Sequence, residues 1–247
     1  MPTPGRDLCA PLPPPRRLRP VPGVPGARAT VLAGEEVVLL AERALYWPRG
    51  ATLLVADVHL GKAASLRVGG VPVPRGATAT DLDRLDALVQ RTGSRRLVVL
   101  GDFIHAATGR VPALDAAVTA WRARHPDLAL ELVRGNHDRH AGDPPPAWRV
   151  AVVAAPHLLA AGPFVLHHEP AIPPTGYALC GHVHPGIRLT GAAGDSLRLP
   201  CFVLGLHSAL LPAFGRLTGL ALVSPRAGET VVAVAGTTLH ALPPVGC

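Results

Sequence analysis

Short apolar runs alternate with amphipathic stretches between residues 51 and 133. Each run predicts a strand in a sheet that is covered on both faces. Apolar residues recur every three or four positions over residues 82–89, which predicts a helix from Thr80 or Asp81 to about Thr92. The order strand, helix, strand, helix, strand favours parallel βαβ units. The predicted strands are Ala51–Ala56, Arg96–Leu100 and Leu128–Val133, and the second predicted helix is Leu114–His125.

The pattern of apolar and polar residues differs on both sides of this block. Before it, Thr30–Ala33 and Val37–Leu40 are separated by Gly34-Glu35-Glu36 and resemble a hairpin. After the prolines at 144–146 the apolar segments are short and divided by Gly, Pro and Asp, which favours a second, more antiparallel sheet. We therefore expect one α/β domain over residues 30–247. The predicted later strands are Val150–Val153, Phe164–Leu166, Tyr177–Cys180, Ile187–Leu189, Leu197–Leu204, Leu220–Val223 and Val231–Val234.

The composition predicts an N-terminal tail and excludes several classes of protein. The 247 residues are 48% hydrophobic and 17% charged, which excludes a disordered chain, and no apolar run is long enough for a transmembrane helix. Residues 1–29 hold nine prolines with five arginines and one aspartate, which is more than half of the net charge of +7, and predict a flexible tail. Cys9, Cys180, Cys201 and Cys247 have neither disulfide nor zinc-finger spacing, and the N-terminus does not resemble a secretory signal. We expect a cytoplasmic protein without membrane contact.

Metal-competent side chains follow five of the predicted strands. The carboxyl ends of parallel strands meet at one edge of a sheet, so we expect these clusters to form one site. Their carboxylate, imidazole and carboxamide groups suit manganese, iron or zinc. Each cluster alone could be an exposed polar turn, but five in this order predict a metal site. The clusters are Asp57-Val58-His59, Gly101-Asp102-Phe103-Ile104-His105, Gly135-Asn136-His137-Asp138, His167-His168-Glu169-Pro170 and Gly181-His182-Val183-His184.

This ordered set resembles the calcineurin-like metallophosphoesterase superfamily over roughly residues 53–188. Within it, further segments are similar to the ligase-associated DNA-damage-response endonucleases and extend the likeness to about Gly219. The resemblance implies a four-layer αββα sandwich of two mixed sheets flanked by helices. It also implies a dinuclear phosphodiesterase or endonuclease that acts on DNA in damage repair. The further segments are Asp57-Val58-His59-Leu60-Gly61-Lys62, Arg67 with Gly70-Val71-Pro72-Val73-Pro74, His168-Glu169-Pro170, Pro200-Cys201-Phe202 and Leu211-Pro212-Ala213-Phe214-Gly215.

The resemblance also implies roles for individual residues. It implies two divalent cations, Mn²⁺ first with iron or Zn²⁺ as alternatives, and in-line attack on phosphorus by a hydroxide between them. His137 would donate a proton to the leaving oxygen, or bind the phosphate together with Asn136. The first cation would be bound by Asp57, His59, Asp102 and His184, and the second by Asp102, Asn136, His168 and His182, with Asp102 bridging.

Three assignments at the centre stay open. His105 stands where the superfamily usually has a second aspartate, and it either hydrogen-bonds behind the metal ligands or contacts His137 or phosphate. His167 is the alternative to His168 as a ligand. Asp138 either orients His137 or its loop, or takes part in proton transfer as a catalytic residue with His137 and His105.

Two basic residues are candidates for binding substrate phosphate. Lys62 is the only lysine among 24 basic residues, which suggests that a compact ammonium is required there, although a chance survival on a solvated loop is the alternative. Arg67 is expected to bind substrate phosphate together with Lys62. The expected substrate is DNA or a nucleotide phosphodiester, with a DNA-repair ligase or helicase as partner. A phosphodiesterase or phosphomonoesterase for small nucleotides is the second hypothesis, and a non-catalytic interaction module is the third.

Overall fold

The computed structural model describes residues 19–21, 24, 26–191 and 194–243, and these form two mixed β-sheets with four α-helices. The first sheet follows chain order from β1 to β8, whereas the second runs β15-β12-β13-β14-β11-β10-β9, with β16 between β13 and β17. The strands of the first sheet are Arg19–Pro20 (β1), Ala27–Leu32 (β2), Glu35–Leu40 (β3), Ala44–Trp47 (β4), Thr52–Val55 (β5), Arg96–Leu100 (β6), Ala129–Val133 (β7) and Val150–Val153 (β8). The helices are Lys62–Val68 (α1), Ala77–Thr92 (α2), Pro112–Arg124 (α3) and Asn136–Ala141 (α4). The strands of the second sheet are His157–Leu158 (β9), Phe164–Leu166 (β10), Tyr177–Cys180 (β11), Pro185–Thr190 (β12), Ser196–Leu204 (β13), Ser208–Leu210 (β14), Ala221–Leu222 (β15), Thr230–Ala235 (β16) and Thr238–Ala241 (β17).

The first sheet is buried on both faces, as its apolar strands require. In β5, Leu53 and Val55 pack with the apolar sides of α2 and α3, while Leu54 faces the second sheet, because successive side chains on a strand alternate in direction. Trp47 and Phe164 meet edge to face across the two sheets, with ring centroids 5.4 Å apart. The core therefore lies in two layers, one under the helices and one between the sheets.

The parallel strands bring their carboxyl ends to one edge. In the first sheet β5, β6 and β7 are parallel neighbours, and in the second sheet β10 and β11 are parallel neighbours. This confirms the parallel βαβ prediction and the α/β class with two mixed sheets. All five predicted metal clusters follow these five strands directly.

The helices differ from the predicted pattern in three respects. Helix α2 begins at Ala77 rather than at Thr80, because Gly76 at φ 101° reverses the chain before it. Helices α1 and α4 occupy segments that the sequence pattern left as loops. In the described part of the chain, all helices come before the second sheet in sequence. The face of that sheet that points away from the first sheet carries the apolar cluster of Cys201, Val203 and Val231.

The first sheet extends into the segment predicted to be a tail. Ala27–Ala29 belong to β2, which pairs along its length with β3, and Arg19–Pro20 pair with β2. Residues 1–18, 22, 23 and 25 of the predicted tail lie outside the described residues, as do Cys9 and Cys247. Cys180 and Cys201 are free, buried thiols. Within the described ranges, no helix has both the length and the apolar character to cross a membrane.

Candidate metal centre

Five of the predicted metal ligands share an uncommon backbone conformation. A left-handed φ is rare for residues other than glycine and costs on the order of 1–3 kcal/mol, so it persists where the surrounding structure fixes it. Such strain clusters at functional sites. The φ angles are 53° at Asp57, 52° at His59, 53° at Asp102, 69° at His182 and 50° at His184.

Two glycines make room for these side chains. A Cβ on Gly101, which has φ 78°, would overlap the ring of His168. A Cβ on Gly135 would collide with the carboxylate of Asp102. Both positions therefore need glycine because a ligand side chain occupies the space of the missing methyl group.

The first ligand group consists of Asp57, His59 and His184. The Nε2 atoms of His59 and His184 lie 3.3 Å apart, and His184 Nε2 is 3.6 Å from Asp57 Oδ1. Burial first, and the charge of Lys62 second, lower the pKa of His59 to about 2. The ring is neutral at physiological pH, which is the form that binds a metal.

The second ligand group consists of Asp102, His168 and His182, with Asn136 beside them. His168 Nε2 lies 3.0 Å from His182 Nδ1 and 3.5 Å from Asp102 Oδ1. His168 Nδ1 donates to the carbonyl of Leu100 at 3.0 Å, so the neutral ring carries a lone pair on Nε2. That lone pair faces Asn136 Oδ1 at 2.9 Å, also an acceptor. Two acceptors this close to each other fit a cation that is bound by both atoms.

Asp102 lies between the two groups and turns one oxygen toward each. Its Oδ1 faces His168 Nε2 at 3.5 Å, and its Oδ2 faces His59 Nε2 at 3.8 Å. Burial raises the pKa of Asp102, whereas His168 and the backbone N–H of His137 oppose that rise. A bound cation would favour the charged carboxylate in the same way. The donor set fits two divalent metal ions that share one carboxylate.

His137 and His105 form the wall of the centre. The His137 backbone N–H donates to Asp102 Oδ1 at 2.9 Å, and its Nδ1 donates to the carbonyl of His105 at 2.7 Å. The rings of His105 and His137 stack with centroids 4.9 Å apart. His105 Nδ1 also lies 3.2 Å from His59 Nδ1, on the side of that ring away from His184. His105 therefore touches both a ligand and His137, and burial lowers its pKa to about 4.

Asp138 is buried beneath the ligand loops. Its Oδ2 accepts the backbone N–H groups of Asp102 at 2.8 Å and of Gly135 at 2.9 Å, and its Oδ1 accepts that of Ile104 at 3.0 Å. The carboxylate therefore joins the loop after β6 to the loop after β7. Among the described residues, Asp138 forms hydrogen bonds with these two loops and not with the ring of His137.

The remaining candidates lie at different distances from the centre. Burial lowers the pKa of Lys62, and the carboxylates of Asp102 and Asp57 oppose this, so the ammonium lies within electrostatic reach of both. Arg67 is exposed and donates to the carbonyl of Val73 at 3.2 Å, away from the ligand groups. Among the described residues, His167 belongs to neither ligand group, nor to the cluster of His59, His105 and His137.

Some contributions to the centre come from backbone atoms that sequence reasoning missed. The carbonyl of Leu100 orients His168, and the segment 211–215 holds the loop of the first ligands. In that segment, Phe214 N–H donates to Ala56 and Gly215 N–H donates to Asp57, at 2.8 and 3.1 Å. Residue types carry no signal for such contacts, because every residue has the same carbonyl and amide groups.

Comparison with solved structures supplies two similar proteins. The crystal structure of Pseudomonas putida nuclease MPE shares 43% identity with this chain at a TM-score of 0.76, and the match covers 87% of this chain and 100% of that chain. Yfce, a phosphoesterase from E. coli, shares 14% identity at a TM-score of 0.40 over 77% of this chain and 97% of its own. No protein-family model matches the chain, and no curated protein matches it by sequence.

Proposed function

The chain belongs to the calcineurin-like metallophosphoesterase family that includes the Pseudomonas putida nuclease MPE, and we propose that it is a nuclease that hydrolyses phosphodiester bonds in DNA. The protein is a metal-dependent hydrolase of phosphate esters. The observation that carries the proposal is the position of Asp102, which turns one carboxylate oxygen toward each of two ligand groups. Two cations suit the hydrolysis of a phosphate ester, because the attacking and leaving oxygens both develop charge. The choice of a DNA diester rests on the 43% identity with a nuclease.

The two ligand groups would each hold one cation around Asp102. When bound, two divalent cations lower the pKa of a water molecule and offset the negative charge of the phosphate. We propose Mn²⁺, with iron or Zn²⁺ as alternatives, because the donors are nitrogen and oxygen only. One cation would be held by Asp57, His59, Asp102 and His184, and the other by Asp102, Asn136, His168 and His182.

His137 is the group proposed to act on the leaving oxygen. The bond from its Nδ1 to the His105 carbonyl fixes the ring, and its Nε2 lies 4.0 Å from Asp102 Oδ2, beside the centre. A proton on Nε2 would therefore be held where a leaving alkoxide forms. Its backbone N–H holds Asp102 at the same time. His105 stacks on the ring of His137, and Asp138 holds the loops that carry Asp102 and Asn136.

The DNA substrate and the repair role rest on likeness and charge. The relative with 43% identity is a nuclease, and the ammonium of Lys62 lies within electrostatic reach of Asp102 and Asp57. We propose Lys62 as a contact to the substrate phosphate. We propose Arg67 as an outer phosphate contact. The likeness to ligase-associated endonucleases supports a role in DNA repair with a repair ligase or helicase, which we place in the cytoplasm. The catalytic domain includes β2 and so begins before residue 30.

One observation favours the second candidate, hydrolysis of small nucleotides. All aromatic residues of the chain lie in the described ranges, and only Tyr46 among them is not buried. Proteins that bind single strands usually stack bases on exposed aromatic rings. A strand bound here must therefore be held through its phosphates, whereas a small nucleotide needs no such platform.

A substrate panel tests the proposal. Metal-stripped protein reloaded with Mn²⁺ is offered single- and double-stranded DNA, bis(p-nitrophenyl) phosphate and p-nitrophenyl phosphate. We expect cleavage of DNA and of the diester, both lost in Asp102→Ala. Preference for the monoester supports the second candidate. The absence of turnover with Mn²⁺, iron and Zn²⁺ alike supports the non-catalytic module and overturns the proposal.

A further inference from the structure

A cavity of about 280 Å³ lies beside the metal edge and is lined by three arginines. Arg43 comes from the turn between β3 and β4, Arg84 from α2, and Arg216 from the segment that follows Gly215. Gly236 and Thr237, in the turn between β16 and β17, close the other side. The cavity therefore forms where parts of both sheets and one helix meet.

Strand register places this cavity close to the metal ligands. Strands β4 and β5 are antiparallel with Leu45 opposite Leu54, so Arg43 is level with Ala56, the residue before Asp57. Adjacent strands are about 4.8 Å apart. On the other side, the residue before Arg216 donates its N–H to the carbonyl of Asp57 at 3.1 Å. Both flanking arginines are thus anchored next to a ligand of the first group.

The charges around the cavity do not balance. Glu42 is engaged by Arg91, which donates to both carboxylate oxygens at 2.8 Å. Asp81 accepts from Arg84 at 3.0 Å. Two carboxylates therefore stand near four guanidinium groups. Among the described residues Arg43 and Arg216 form no ion pair, although the Asp81 carboxylate accepts the backbone N–H of Arg216 and lies within electrostatic reach of both arginines.

The three arginines that line the cavity differ in how many hydrogen bonds their guanidinium groups form within the protein. Arg84 donates to the carbonyls of Phe214 at 2.9 Å and Glu42 at 2.7 Å and lies over the Phe214 ring, which makes it structural. Arg43 makes one hydrogen bond, to Ala213 O at 3.2 Å. The guanidinium of Arg216 is exposed and makes none with any described residue. Burial and the charge of Arg84 lower the pKa of Arg43, and the carboxylate of Asp81 opposes them.

We propose that this cavity binds a phosphate of the substrate strand other than the one held at the metal centre. The inference rests on the proposed nuclease function and adds a second contact along the strand. A guanidinium donates two parallel hydrogen bonds to a phosphate, and Arg216 with the unused donors of Arg43 can do so together. Because the aromatic residues are buried, such phosphate contacts would supply most of the affinity for a strand.

The test measures strand binding separately from turnover. A fluorescein-labelled single-stranded 12-mer is titrated with the full chain in EDTA, where hydrolysis stops, and anisotropy reports the affinity. We expect Arg216→Ala to weaken binding about fivefold and to lower the salt slope of log affinity by about 0.7. Arg216→Lys should recover part of the loss. The matched control is Arg95→Ala, an exposed arginine at the opposite end of β6, which should bind like wild type.

Each outcome decides a different point. Wild-type affinity in Arg216→Ala, or an equal loss in Arg95→Ala, overturns the cavity assignment. An equally large effect of Arg216→Ala on a mononucleotide shows a site for free phosphate and contradicts a strand contact. Turnover of bis(p-nitrophenyl) phosphate with Mn²⁺, which presents one phosphate, should be unchanged in Arg216→Ala. If the wild type cleaves neither this diester nor the 12-mer, the proposed function fails, whereas the binding result still decides the cavity.

Discussion

Replacing Asp138 by asparagine tests whether this carboxylate holds the two ligand loops together. The side chain is buried and accepts three backbone N–H groups, two on Oδ2 and one on Oδ1. An asparagine can place its oxygen at the Oδ2 position and keep two of the bonds. Its amide then faces the N–H of Ile104, so one charged hydrogen bond is lost and one buried donor has no partner.

The cost follows from these contacts. A hydrogen bond to a charged acceptor contributes about 1.5–3 kcal/mol, and an unsatisfied buried donor costs about 1–3 kcal/mol. With partial relaxation we expect Asp138→Asn to lower the free energy of unfolding by about 2–4 kcal/mol. At roughly 2–4 °C per kcal/mol for a chain of this size, Tm falls by about 4–16 °C.

The assay is urea and thermal unfolding of the metal-free protein, followed by Mn²⁺ titration of the folded variant. We also expect weaker Mn²⁺ binding, because Asp102 is carried by a loop that Asp138 fixes. The control is Asp83→Asn on the exposed side of α2, which should change the free energy of unfolding by less than about 0.5 kcal/mol. The reasoning is refuted if Asp138→Asn unfolds within 1 kcal/mol of wild type and binds Mn²⁺ equally well.

Three further predictions concern the proton donor, the space around a ligand and the buried thiols. His137→Ala should retain Mn²⁺ and lose about 10²–10⁴-fold in diester turnover; metal analysis beside the rate checks this, and loss of metal would contradict the role. Gly101→Ala should displace the ring of His168 and weaken Mn²⁺ binding by calorimetry, and wild-type affinity would show that the loop can yield. Burial raises the pKa of Cys180 to about 11 and of Cys201 to about 12. Both thiols should therefore resist alkylation at pH 8 in the native protein, which peptide mass spectrometry can measure. Rapid labelling would contradict their burial.

The central strands could be predicted because each is a short apolar run that is buried on both faces. Arg96–Leu100 and Tyr177–Cys180 have the predicted bounds, since a run ends where a polar ligand must begin. Parallel pairing brings the clusters of each sheet to one edge, and the packing of the two sheets brings these two edges together. A sequence pattern is sufficient where burial and local periodicity decide the structure.

Other features depend on contacts between distant parts of the chain. Helix α4 has six residues, too few for a periodic signal, and Asp138 stabilises its start through the N–H of Gly135. The second sheet does not follow chain order, and no local pattern indicates which of its strands become neighbours. The arginine cavity joins residues 43, 84 and 216, and no local pattern relates positions so far apart.

The central claim is that Asp102 joins two metal ions in one centre. The most direct test is a crystal structure of the Mn²⁺-loaded protein with anomalous diffraction recorded at the manganese edge. The account predicts two peaks about 3.5–4 Å apart, each beside a different oxygen of Asp102. A single peak, or two peaks of which only one contacts Asp102, would contradict it.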